Sequence, residues 1–142
     1  MTAALTADRM EEALGMMERF YAEVGIEFQR DRARRALESL PGFGGWWFLE
    51  QDGRTAGYFV LTLGYSLEFG GRYALLDEFF VEKVWRGQGL GASAMPRILE
   101  EARAMGAGAI HLEADGHVCE FYRRSGFVAR HREMMSRWMD TT

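Results

Sequence analysis

The first forty residues follow the spacing of amphipathic helices. Between residues 8 and 24, apolar side chains recur every three or four positions and so share one helix face: Met10, Leu14, Met17, Tyr21 and Val24. Asp8 is expected to cap this helix at its start, and Gly25 to end it. A second, shorter helix is predicted over residues 31–40, because a Pro-Gly pair follows it.

The pattern then changes to the period of a β-sheet. Aromatic and β-branched residues fill residues 46–50 and 55–65. The polar segment between them, residues 51–54, predicts a hairpin. A third strand is expected over residues 72–81 after a second turn. The three aromatic residues at 46–48 are expected to lie in the core.

Helical spacing returns after a glycine-rich loop. Residues 90–105 predict a helix, residues 109–114 a short strand, residues 117–124 a short helix, and residues 127–129 and 134–139 a final pair of strands. This order indicates an α/β (α+β) fold, with helices on both faces of a mixed, mostly antiparallel sheet. The strand-helix-strand step is expected to be right-handed and parallel.

Composition excludes several classes of protein. The chain has 142 residues, of which 48% are apolar, so a single globular domain is expected over residues 1–142. No apolar run approaches the roughly 20 residues that cross a bilayer, and no signal pattern opens the chain. A cytoplasmic protein without membrane contacts is therefore expected. The net charge of −4 argues against a nucleic-acid partner. No Cys/His cluster has metal-ligand spacing, so no metal is expected.

The strongest chemical signal is the segment Arg-Gly-Gln-Gly-Leu-Gly at residues 86–91. Gly87, Gly89 and Gly91 allow the backbone to approach a ligand closely. The helix start beyond them presents free N–H groups and the positive end of its dipole, which together bind an anion. Arg86 adds a charged fork suited to phosphate oxygens. A turn without a ligand is the less favoured alternative. The loop also lacks the lysine of a nucleoside triphosphate loop.

A second motif follows after one predicted helix and one predicted strand. It reads Glu-Phe-Tyr-Arg-Arg-Ser-Gly-Phe over residues 120–127. Together with Arg86-x-x-Gly89-x-Gly91, it resembles the two hallmarks of the GNAT superfamily of N-acetyltransferases, and the resemblance covers roughly residues 49–139. The resemblance implies a GNAT-like sheet of six to seven strands flanked by about four helices. Two strands of that sheet splay apart at the acyl-CoA site.

The resemblance also implies roles for individual residues. Acetyl-CoA would be the acyl donor and an amine the acceptor, with direct attack on the thioester. Tyr122 matches the tyrosine that typically stands near the thioester sulfur, where a phenol can protonate the leaving thiolate. Asp115 stands where the family often has an asparagine that contacts the pantetheine arm. The other implied acyl-CoA contacts lie on the strand before the loop, where a backbone N–H can stabilise an oxyanion, and on the loop itself: Phe79, Phe80, Val81, Arg86, Gly87, Gln88, Gly89, Leu90, Gly91 and Ala92.

Two adjacent acids, Asp77 and Glu78, precede the implied thioester gap. Strand alternation puts them on opposite faces, so at most one points into a given cleft unless a bulge re-aims them. Residues 75–81 are similar to the segment of spermidine/spermine-type polyamine acetyltransferases in which two adjacent acids serve the amine. A carboxylate that attracts the ammonium and takes its proton is therefore implied, Glu78 before Asp77. A salt bridge or a solvated strand face carries equal weight. Glu68 is a further candidate on the acceptor side.

Several alternatives stay open from the sequence. The acceptor is a polyamine, an amino-acid amine or a protein amine. A non-catalytic acyl-CoA sensor of the same fold, or a nucleotide-binding module, is the alternative to an enzyme. Pro96 is expected to kink its helix while sparing the first turn. His111, His117 and Cys119 are interpreted as structural residues. Four apolar residues near the end are expected either to pack inside or to form a homodimer patch: Met134, Met135, Trp138 and Met139.

Overall fold

A single open sheet organises the protein. The computed structural model describes residues 1–139, and its five strands lie in the order β1-β2-β3-β4-β5. The strands are β1 (Thr2–Ala4), β2 (Gly44–Gln51), β3 (Arg54–Ser66), β4 (Gly71–Val81) and β5 (Ile110–His111). The first four pair antiparallel with their neighbours, and β5 pairs parallel to β4 as expected. The helices are α1 (Met10–Val24), α2 (Arg30–Ser39), α3 (Leu90–Ala104) and α4 (Cys119–Arg124).

The two faces of the sheet carry two separate hydrophobic cores. Side chains alternate across the strands, so Trp46 and Tyr58 pack against α1 and α2, while Leu49 and Phe59 pack toward α3. Tyr58 and Phe59 are both fully buried on opposite faces of β3. Burial of one such side chain stabilises the fold by roughly 1.5–3 kcal/mol. The aromatic residues at 46–48 lie in or against these cores as expected.

The prediction of six to seven strands was wrong, because the sheet has five strands within residues 1–139. Residues 127–139 form no strand, and their side chains are almost all exposed. The last strand of the sheet, β5, is only two residues long and offers almost no ladder on which another strand could pair. The short strand β1 was missed because three residues carry too little periodicity to be recognised.

Helix ends lie within two residues of the prediction, and the main difference is the start of α1. Asp8 does not cap α1, because it lies inside a 3₁₀ turn at Ala7–Arg9, and the helix begins after Arg9 without a side-chain cap. Gly25 ends α1 in the left-handed conformation, as expected. Helix α3 is continuous from Leu90 to Ala104 through Pro96, so its first turn is intact. Within residues 1–139, no helix combines the length and hydropathy that a membrane span requires.

Candidate active site

A β-bulge in β4 places both adjacent acids on one face. Val60 of β3 lies opposite Glu78, but the next residue, Leu61, lies opposite Leu76, so Asp77 is the extra residue. A residue inserted in this way reverses the alternation of the strand. Asp77 and Glu78 therefore both face the α1 and α2 side of the sheet, and both line the same pocket. The bulge therefore brings together two side chains that strict alternation would place on opposite faces of the strand.

The pocket beside the bulge is a mainly apolar cavity of about 570 Å³. It lies between the sheet and helices α1 and α2, and Trp138 from the end of the chain contributes one wall. The guanidinium carbon of Arg32 lies 4.3 Å from the centre of the Trp138 ring. Apolar walls with two convergent carboxylates suit a small ligand with a cationic end. The apolar part of the lining consists mainly of Met17, Ile26, Phe28, Leu37, Leu40, Trp46 and Val60.

Glu78 is held by two tyrosine hydroxyls. The hydroxyl of Tyr21 on α1 donates to Oε2 at 2.5 Å, and the hydroxyl of Tyr58 on β3 donates to Oε1 at 2.6 Å. Burial raises the pKa of Glu78, while these two hydrogen bonds lower it. The same burial, together with the carboxylate charge, raises the pKa of both phenols, so they remain protonated donors.

Asp77 differs from its neighbour because it remains open to solvent. Within residues 1–139 its carboxylate makes no hydrogen bond or ion pair. The carboxylate is nevertheless partly buried, and this partial burial raises the pKa of Asp77. The two acids thus share a face but have different surroundings.

Strands β4 and β5 part where the bulge begins. They pair only through Ala74 with Ile110 and Leu75 with His111. Beyond this point the edge of β4 faces a gap. The amide of Glu82 donates to Ala56 on β3, so alternation turns the backbone groups of Phe80 toward β3 and those of Phe79 and Val81 toward the gap.

The glycine-rich loop leaves a run of amides available. Within residues 1–139, the N–H groups of residues 87–92 donate to no backbone carbonyl. Gly87 and Gly89 both have φ of 77°, and Gly89 immediately precedes the first residue of α3. The backbone from Gly87 to Gly89 is exposed, whereas Leu90 is buried and anchors the helix start. This arrangement has the free donors and dipole end of an anion site.

Arg86 has protein partners on both sides of the loop. Its Nη2 lies 2.6 Å from Oε2 of Glu23 near the end of α1, and its Nε donates to the carbonyl of Val81 at 2.9 Å. The carboxylate of Glu23 raises the pKa of Arg86, which keeps its full positive charge. Arg86 therefore connects α1 to the end of β4 beside the amides.

Tyr122 packs against the hydrophobic core on the opposite face of the sheet, the face that carries α3. Its ring packs against Phe121 and Phe127, with ring centroids 5.1 Å and 5.6 Å away. Phe121 contacts Phe79. A Cβ at position 91 would lie 3.3 Å from the Phe121 ring, so the glycine at this position allows α4 to pack close to α3. Burial raises the pKa of Tyr122, whose hydroxyl donates to no protein acceptor in the described part of the chain.

The remaining candidates lie away from the pocket. Asp115 is exposed and precedes the turn that leads into α4. Glu68 accepts hydrogen bonds from Arg130 and Arg132 and holds the C-terminal segment rather than lining the pocket. His111 packs against Phe69 and Tyr73. The thiol of Cys119 contacts the carbonyl of Asp115.

Sequence reasoning missed Tyr21, Arg32 and Trp138 as pocket residues and Tyr58 as a hydrogen-bond partner of Glu78. The sequence pattern marks Tyr21 only as an apolar helix position and Tyr58 only as a strand residue. The available signal was a phenol in a predicted core, because a buried hydroxyl needs a hydrogen-bond partner. Its partner lies 57 residues away in the case of Tyr21, so sequence could not identify it.

The sheet edge that opens beyond β5, the helix start with available amides and the acidic pocket are the features of this chain to compare with known proteins. The chain belongs to the Acetyltransferase (GNAT) family, whose model matches residues 8–127. It is 31% identical over 116 residues to serotonin N-acetyltransferase 2, chloroplastic, from Oryza sativa subsp. japonica; this match covers 81% of the chain and 56% of the rice protein. The chain therefore spans little more than half the length of that relative.

Two solved structures share the whole fold. An integron cassette protein from the mobile metagenome of Cole Harbour Salt Marsh is 30% identical, with a TM-score of 0.86 over 99% of this chain and 91% of that one. A predicted acetyltransferase with acetyl-CoA from Clostridium acetobutylicum is 15% identical, with a TM-score of 0.82 over 96% of this chain and 95% of that one. The GNAT fold expected from the two motifs is confirmed.

Proposed function

We propose that this protein is an N-acetyltransferase that moves the acetyl group of acetyl-CoA to a primary amine. The observation that carries the proposal is the run of available amides at residues 87–92, which opens α3 beside the gap between β4 and β5. These amides fit a pyrophosphate, because they supply donors and a helix dipole without displacing any protein hydrogen bond. The exposed edge of β4 at Phe79 fits an amide-containing arm and the acyl carbonyl.

Acetyl transfer requires proton transfer, stabilisation of the oxyanion and positioning of the two substrates, and we assign residues to these roles. The amine nitrogen forms a bond to the acyl carbon while the carbon–sulfur bond breaks. The substrate ammonium loses two protons. The first leaves to solvent through the acidic pocket; Tyr122 gives its own proton to the leaving sulfur and regains one when the nitrogen loses its second proton. A backbone N–H of Phe79 or Val81 is suited to the negative charge that develops on the carbonyl oxygen. Holding the amine and the thioester in the attacking geometry contributes most of the remaining rate enhancement.

The pocket favours an acceptor with one cationic end and an apolar body. Its two adjacent carboxylates lie together at the sheet, and its other walls are mainly apolar. A polyamine would bring a second positive charge to the rim of the pocket, where the guanidinium of Arg32 lies as well as the carboxylate of Glu27. The rice relative, named for serotonin, acts on an amine of the favoured shape. We therefore place arylalkylamines ahead of polyamines and of protein amines.

An acceptor panel tests the proposal. Purified protein is mixed with acetyl-CoA and tryptamine, spermidine or a lysine-containing peptide, and free thiol and product mass are measured. Thiol release with acetyl-tryptamine as the main product supports the proposal. Acetyl-spermidine as the main product would support acetyl transfer and reject the arylalkylamine preference. CoA binding by calorimetry without transfer to any amine would favour an acyl-CoA sensor instead.

A further inference from the structure

The two carboxylates in the pocket differ in how they are held. Each carboxylate oxygen of Glu78 accepts a phenol hydrogen bond, from Tyr21 and from Tyr58. Both donors are fixed in turn: the ring of Tyr58 stacks on Trp46 at 3.8 Å, and the ring of Tyr21 packs edge-on against Phe28. Glu78 therefore has little freedom to turn either oxygen toward a ligand.

Asp77 has the opposite surroundings. The bulge turns its carboxylate into the pocket, where it is open to solvent and unpaired within residues 1–139. The other charged groups that face the pocket are Glu27 and Arg32, which come from its rim at the start of α2. At the sheet, an ammonium thus meets one available carboxylate, Asp77, and one whose two oxygens already accept hydrogen bonds, Glu78, while Glu27 lies at the rim.

On the basis of the proposed function, we propose that Asp77 is the carboxylate that binds the acceptor ammonium and takes its proton, and that Tyr21 and Tyr58 are positioning residues that fix Glu78 behind it. This reverses the order in which the sequence ranked the two acids. It also gives α1 a role in the site, because Tyr21 joins that helix to the bulge. The proton passes from the ammonium to Asp77 and then to solvent, since Asp77 is exposed.

Amine binding without acetyl-CoA distinguishes the two acids. Calorimetric titration with tryptamine is compared for the wild type, Asp77→Asn and Glu78→Gln. Loss of a charge-assisted contact in Asp77→Asn is expected to weaken binding about tenfold or more. Glu78→Gln is expected to stay within about threefold, because its amide can still bond both phenols. Equal weakening in the two variants, or a larger effect in Glu78→Gln, would overturn the assignment.

Side-chain titration tests the positioning role. The Glu78 carboxyl carbon is followed by carbon-13 NMR, with Glu78→Gln used to assign the signal. Removal of one phenol in Tyr21→Phe or Tyr58→Phe is expected to raise the pKa of Glu78 by roughly one pH unit, since a hydrogen bond to the charged form is lost. Tyr65→Phe is the matched control, because Tyr65 is exposed and does not line the pocket.

The two measurements separate this inference from the proposed function. Neither needs turnover, so failure to find acetyl transfer would leave both results interpretable. A Glu78 pKa unchanged by Tyr21→Phe and Tyr58→Phe would reject the positioning role, even in an active enzyme. With transfer established, Tyr21→Phe is expected to raise KM for the amine more than it lowers kcat, and to leave the affinity for CoA unchanged.

Discussion

The substitution Gly89→Ala tests the anion site directly. Gly89 immediately precedes α3 with φ of 77°, and an added Cβ would meet nothing within 4 Å. The cost is therefore conformational and not steric. A left-handed L-residue costs about 1–2 kcal/mol, and alanine restricts the unfolded chain by about 0.4–1 kcal/mol in the opposite direction. The net loss of about 1 kcal/mol should lower Tm by about 4 °C in a domain of this size.

The same strain limits the effect on CoA binding. A loop that keeps the left-handed residue lowers Tm and leaves the amides in place. A loop that relaxes turns the amides on either side of residue 89, and CoA must then restore the left-handed residue, so the loss in binding is at most about 1–2 kcal/mol, or about fivefold to thirtyfold in Kd. Calorimetric titration with CoA measures Kd, and thermal denaturation followed by circular dichroism measures Tm.

Gly53→Ala is the matched control for this experiment. Gly53 has φ of 73° in the turn between β2 and β3, and a Cβ there would also meet nothing within 4 Å. A similar fall in Tm is expected, with unchanged affinity for CoA. If Gly89→Ala kept the wild-type Tm, as a relaxed loop would, and still bound CoA as tightly as the wild type, the amides of residues 87–92 would not hold the pyrophosphate, and the reasoning would fail.

Three further predictions concern the acid, the base and the loop helix. Tyr122→Phe should lower kcat by about a hundredfold or more while CoA affinity changes less than about twofold; similar losses in both would argue against proton donation. Burial raises the pKa of Asp77 above 3.8, so its charged form destabilises the fold, and Asp77→Asn should raise Tm at pH 7.5. That gain should disappear below about pH 4, where the unfolded chain is also protonated; a Tm gain independent of pH would exclude the charge as its cause. Pro96 is exposed inside α3, so Pro96→Ala should restore a helix hydrogen bond and raise Tm by several degrees; a lower Tm would contradict this.

The different surroundings of Asp77 and Glu78 could not be predicted from the sequence. Both acids are candidates from the sequence, and strand alternation requires a bulge to place their side chains on one face. Sequence reasoning ranked Glu78 first, because nothing local indicates that two phenols occupy that carboxylate. The bulge depends on how β4 registers against β3, and Tyr21 reaches Glu78 only once α1 has packed on the sheet.

Local pattern by itself determined most of the elements and the two motifs of the family. Periodicity identified α1 to α4 and the long strands, because the spacing of apolar residues reflects which face each element buries. The loop at residues 86–91 was recognisable because glycine and a helix start are adjacent in the chain. Tertiary structure alone decided the strand count, the position of Asp77 at the bulge and the pocket wall at Trp138. These features depend on pairing and packing between segments far apart in sequence, and no local spacing records such contacts.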